Sequence, residues 1–159
     1  MKSPFKQEYY DELVKQYESA DNPGSRHFAR QDLAGYCYKY REDPEMLDRC
    51  IALCEEDIRE LPILDEYASV GTAMKCKTLG YKPTPGTMDY ETIKHGFTGR
   101  IVTLERLAII EKDRGHYNRA KALYQQCLAR IAWNDRAKDE IARLERAIAA
   151  VDKKIAAQK

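Results

Sequence analysis

The chain reads as an all-α protein built from antiparallel helix pairs. Three observations predict this. Apolar residues recur every three or four positions along most of the length, the spacing of one helical face. Glycine and proline gather between the periodic stretches, where they mark turns. No alternating apolar and polar run is long enough for a strand. Ile101-Val102-Thr103 is the most β-like segment, and it stays in helical phase.

Taken in order, Ser3-Pro4 predicts a helix start, with serine as N-cap and proline at the first helical position. Phe5, Tyr9, Leu13, Tyr17 and Ala20 follow at helical spacing, so a helix is expected over 4–20. Asp21-Asn22-Pro23-Gly24 breaks it. Ser25 is expected to cap a second helix with an apolar side of Phe28, Leu33, Tyr36, Cys37 and Tyr40. Asp43-Pro44-Glu45 stops that helix and starts a third, combining an aspartate cap, a first-position proline and an acid in the first turn. Leu47, Cys50, Ile51, Cys54 and Ile58 form its stripe.

Pro62 begins a fourth helix through Ile63, Leu64, Tyr67, Ala68, Gly71 and Met74 to Leu79, with Gly80 as C-cap. Residues 81–86 hold two prolines and a glycine and read as a loop. Thr87 or Asp89 restarts a helix through Tyr90, Ile93 and Phe97. Gly96 and Gly99 predict a turn before Ile101; the alternative is one kinked helix over 88–114, because the apolar phase continues. After Trp133, Asn134 or Asp135 caps a last helix, about 135–157, without glycine or proline.

The best-defined pair lies between these, over 101–131. Leu104, Leu107, Ala108 and Glu111 share one face; Ala120, Tyr124, Cys127 and Leu128 share another. Gly115 between them reaches positive φ without steric cost. Small Ala108 and Ala120 let the backbones approach, and Leu107, Tyr117 and Tyr124 fill the space beside them. With these residues, 101–132 resembles a tetratricopeptide repeat, the 34-residue helix-turn-helix unit. Two positions depart from that pattern: Glu111 stands where an aromatic is usual, and Ala132 where a proline closes the repeat. Residues 25–61 match more loosely, with Asp57 at a small-residue position. Cys50 and Ala120 lie 70 positions apart, about two repeat periods. The resemblance implies a single domain over 1–159: a right-handed superhelix of hairpins at about 25–61, 62–98 and 99–132, with a C-terminal capping helix.

Composition bounds the function. The 159 residues suffice for a domain with a real core. A net charge of +1 disfavours nonspecific nucleic-acid binding, which draws on a basic surplus. No apolar run approaches the ~20 residues needed to span a bilayer. The N-terminus shows no signal-peptide pattern, and five cysteines at no framework spacing fit a reducing compartment, so a cytoplasmic location is expected.

No catalytic motif or nucleotide cradle appears, and no cofactor is expected. Cys37, Cys50 and Cys54 could converge as thiolate ligands, but they occupy core positions and lack a C-x-x-C pair, so packed thiols and no metal are expected. Glu55, Glu56, Asp57 and Glu60 read as a solvated acidic face. Arg26, His27 and Arg30 form a small basic patch, the basis of an alternative reading as a nucleic-acid-associated or regulatory accessory protein. The leading expectation is a non-catalytic module that binds a peptide or helix of another protein in a concave groove. The resemblance implies that Val102, Glu105, Ile109, Lys112 and Asp113 line this groove. Glu105 and Ile109 stand where a carboxylate-clamping subgroup has lysine and asparagine, so no such clamp is expected. Ala137, Ile141, Leu144, Ile148, Val151 and Ile155 alternate at four and three, a heptad seam. Its first half is expected to cap the repeats. Its second half, with Ile148, Val151 and Ile155, is expected to offer a homodimer contact.

Overall fold

The computed structural model describes residues 2–159. Among them are eight α-helices, one short 3-10 turn and no strand. The chain divides into two compact units, Met1–Gly99 and Arg100–Lys159.

The first unit holds α1 (Gln7–Ser19), α2 (Pro23–Lys39), α3 (Pro44–Arg59), α4 (Leu61–Leu79) and α5 (Met88–His95). Helix α2 packs on α1, α3 and α4, and α5 packs on α4. The expected start at Ser3-Pro4 does not form, because residues 3–6 are engaged otherwise. The Tyr40 hydroxyl donates to the carbonyls of Ser3 and Pro4 at 3.0 and 3.1 Å. The Lys6 N–H donates to the Tyr36 hydroxyl at 2.8 Å. Phe5 sits among the rings of Tyr10, Tyr36 and Tyr40. These contacts need backbone that is not yet helical, and α1 begins only at Gln7.

The start of α2 is also earlier than Ser25. Asn22 caps it, accepting from the Ser25 N–H at 2.8 Å, and Pro23 occupies the first turn. The residues that break one helix therefore open the next. Asp43 caps α3 as its sequence predicts, accepting from Glu45 N–H at 2.9 Å. Gly80, at φ +72°, ends α4. Thr87 caps α5.

The chain turns after α5, and the single kinked helix over 88–114 is absent. Gly96 stands at φ +87°, and a Cβ there would lie 2.5 Å from the Asp65 side chain. The same Asp65 accepts the Phe97 N–H at 3.0 Å. Both the dihedral and the close approach require glycine.

The second unit holds α6 (Val102–Asp113), α7 (Tyr117–Ile131), a 3-10 turn (Asp135–Ala137) capped by Asn134, and α8 (Lys138–Ala157). Helices α6 and α7 form the hairpin around Gly115, at φ +81°. The His116 N–H closes the turn on the Glu111 carbonyl at 2.8 Å. Glu111, the residue that departs from the repeat pattern, is fully buried. Its carboxylate accepts from His116 at 2.8 Å and lies 3.3 and 3.6 Å from the guanidinium groups of Arg114 and Arg119. An acid here binds three groups of the turn and the α7 start, where an aromatic ring would only pack. Ala108 and Ala120 are both fully buried.

Candidate functional site

The basic and acidic clusters face each other across the α2–α3 hairpin. Arg26, His27 and Arg30 lie on α2; Glu56, Asp57 and Glu60 lie at matching positions around the turn at Asp43. Arg30 and Asp57 are each 1% exposed, with Nη1 and Oδ1 at 3.1 Å. Arg30 also donates to Glu60, and its Nε lies 3.6 Å from Glu56. Tyr17 of α1 donates to Glu56 at 2.6 Å. Burial and then this hydrogen bond raise the Tyr17 phenol above its ordinary pKa. Neither sequence expectation survives at the centre of this network: Asp57 is not part of a solvated face, and Arg30 and His27 do not present a basic patch.

His27 Nδ1 lies 3.0 and 2.9 Å from the two oxygens of Asp57. Where that carboxylate only accepts, Nδ1 is the donor. The other ring nitrogen, Nε2, is buried without a hydrogen-bond partner. The ring packs edge-on against Phe28 and Phe97. The arrangement orients an imidazole but encloses its second nitrogen, so it tightens the hairpin and offers no exposed base.

Of the expected groove residues on α6, Val102, Ile109 and Lys112 are half-buried and Asp113 is exposed. Glu105 is 7% exposed and is not free to meet a ligand. It accepts from Arg100 at 2.7 Å and forms a two-pronged pair with Arg143 of α8, one prong at 3.2 Å. Burial alone would raise the Glu105 carboxyl. The bonds from Arg143 and Arg100 outweigh it and hold the group below its ordinary range.

The seam of α8 turns toward its own unit. Leu144 and Val151 are buried, Ile148 and Ile155 half-buried. Helix α8 packs on α7, and Lys121 meets Asp152 at 2.7 Å. Packing thus continues into the second half of α8, and Val151 is not available to a partner.

The cysteines pack as small apolar groups. All five are free, and Cys37, Cys50 and Cys54 are fully buried. Burial, and then the neighbouring Cys50, push the Cys37 thiol up to about 11. Among the described residues no three histidine, cysteine or acidic side chains come together to hold a metal.

The open apolar surface lies elsewhere, on α4. Ile63, Tyr67, Val70 and Met74 are spaced four, three and four, and they are 49%, 47%, 50% and 65% exposed. With Pro23, Glu66 and Gly71 they line a groove of about 380 Å³. Leu61, Leu64 and Cys76, on the opposite side of α4, are buried. Tyr67 is held against α2, where a Cβ on Gly24 would lie 3.3 Å from its ring. Asp65 and Ser69 tie α4 to the end of α5, the latter through a 2.7 Å bond to the Ile93 carbonyl. Lys75 and Tyr81 bind Asp89, and the hydrogen bond to Asp89 raises the Tyr81 phenol. These ties fix the helix and leave one apolar face uncovered. Ile63, Tyr67 and Met74 lie on the helix expected from Pro62 to Leu79, and which of its faces is buried depends on the neighbouring helices.

No helix among the described residues is long and apolar enough to cross a membrane. Compared with known proteins, the chain matches no family model, no curated protein and no solved structure.

Proposed function

We propose that this chain is a non-catalytic protein-interaction module that receives an apolar helix on the exposed face of α4. One observation carries the reading: four large apolar side chains at heptad spacing line an open groove on a helix braced by its neighbours. An exposed contiguous apolar patch of this kind marks interaction surfaces. Its i, i+4, i+7 geometry suits a helix laid along it. The helix pairs, together with the resemblance of 101–132 to a tetratricopeptide repeat, support a helical-repeat module. The expected groove on α6 takes second place, since Glu105 is committed to Arg143. The nucleic-acid alternative loses its basis in Arg30 and His27, which meet acids of α3. Five free cysteines support a reducing location such as the cytoplasm.

The test is a photo-crosslinking residue at Met74 of the full chain, expressed in its native host. A protein is captured there, and Val70→Asp abolishes capture without lowering the melting temperature. Capture persists at high salt, where phosphate contacts would weaken steeply. Crosslinking from Ile109 but not from Met74, or capture indifferent to Val70→Asp, would return the site to α6.

A further inference from the structure

We infer that the occupant of the α4 groove is a second copy of this chain, laid antiparallel across a two-fold axis, with Glu66 of each copy facing the partner's Lys77. The inference rests on the reading of α4 as an interaction surface, and the charges beside the apolar stripe extend it.

The other charged residues of α4 near the stripe are already used. Asp65 accepts the Phe97 N–H, and Lys75 pairs with Asp89 at 2.8 Å. Glu66 and Lys77 are exposed and have no ion pair among the described residues. They are eleven positions apart, close to three helical turns. They therefore lie on the same flank of the stripe, separated along the axis by about 16 Å. Glu66 is at its N-terminal end and Lys77 at its C-terminal end.

This placement selects one geometry. When two identical helices pack in parallel, the left flank of one meets the right flank of the other. When they pack antiparallel, each flank meets its own counterpart with the ends reversed. An acid and a base at opposite ends of one flank complement a copy only in the second arrangement. A two-fold axis then forms both pairs at once, because the contact is isologous. The axis falls near Gly71, midway between the two charges. Nothing lies within 4 Å of a Cβ built there, so the backbones can approach at the crossing point. About that axis Val70 of each copy comes beside Met74 of the other, and Tyr67 lies toward the other copy's last helical turn, near Lys77. The surface is short, so the dimer is weak and depends on concentration.

Sedimentation of the full chain, from micromolar to about 1 mM, tests this directly. The parent self-associates. Val70→Asp weakens association by at least about tenfold while the monomer melts as before. Glu66→Lys and Lys77→Glu each weaken self-association, since each sets like charges opposite each other. An equimolar mixture of those two variants associates again, because every contact in the mixed pair is then opposite in sign. A parent chain that is monomeric throughout overturns the inference. So does a dimer indifferent to Val70→Asp, or a mixture that associates no better than its components. In a monomeric chain, crosslinking from Met74 to a different protein keeps the interaction-module reading, and loss of all crosslinking there removes both.

Discussion

Arg30 and Asp57 meet at 3.1 Å in the buried interior of the α2–α3 hairpin, each with 1% of its side chain exposed. Water cannot screen either charge there, so each depends on the other and on Glu60, Glu56 and His27. Asp57→Ala therefore leaves an incompletely paired guanidinium and is expected to cost about 3–5 kcal/mol. Replacing both members, Arg30→Met with Asp57→Leu, is expected to recover most of that loss, because no buried charge is left between the two positions. Urea denaturation of the three proteins checks both outcomes. A double variant that loses as much as Asp57→Ala, or more, would show that the unpaired guanidinium is not the source of the loss.

A second prediction concerns acid stability. The Glu105 carboxyl lies below its ordinary value of 4.5 in the folded state, held there by Arg143 and Arg100 against the effect of burial. The unfolded chain then binds the proton more readily, so stability from this group rises with pH. It is fully present above about 4.5 and is lost as pH falls through the lower folded value. Glu105→Gln is expected to destabilise by about 1–3 kcal/mol at neutral pH. Its gap to the parent should shrink as pH falls through that lower folded value. A gap that stays constant with pH would mean that the charge of Glu105 adds nothing to stability.

Third, the cysteines should behave as neutral, enclosed thiols. Burial pushes Cys37 up to about 11 and, with a further push from Glu105, Cys127 up to about 12. Below those values the nucleophilic thiolate is scarce. Iodoacetamide near neutral pH should modify Cys37 and Cys127 far more slowly in the folded chain than in urea. Metal analysis of the purified protein should find no zinc. Stoichiometric zinc lost on Cys50→Ser would instead restore the three-cysteine site.

Fourth, two glycines should respond with opposite signs to the same change. Gly96→Ala meets both a positive φ and the Asp65 side chain, and should destabilise by more than about 1 kcal/mol. Gly71→Ala lies inside α4 with open space around the new methyl group, and should stabilise the monomer by roughly 0.5–1 kcal/mol. Melting temperatures read at low protein concentration separate the two. A destabilising Gly71→Ala would show that this part of α4 is not an ordinary helix interior.

Fifth, the second half of α8 should contribute to the fold. Val151 is fully buried and Asp152 pairs with Lys121. Val151→Asp places an uncompensated charge in packed surroundings and should cost about 3 kcal/mol or more. A chain cut after Ala147 should melt earlier than the parent. If it melts at the same temperature, residues 148–159 do not support α7.

Much of the helical pattern was legible in the sequence because it depends on neighbours along the chain. Asp43-Pro44-Glu45, Thr87 and Gly115 act through hydrogen bonds and dihedrals spanning a few residues, and their elements begin or end where those residues stand. The same local logic misplaced the first helix, because Tyr36 and Tyr40, thirty or more positions away, claim the backbone of residues 3–6. What tertiary structure alone decided was which side of each helix meets another. Periodicity places Asp57, Glu105 and Val70 on helical faces without saying which faces are covered. The α2–α3 hairpin carries Asp57 inward to Arg30, α8 brings Arg143 to Glu105, and α4 turns Leu61 and Leu64 inward while Val70 and Met74 face out. Burial is a property of pairs of elements, set by contacts between residues far apart in the chain, and a helical repeat of apolar positions is compatible with either side being the one left open.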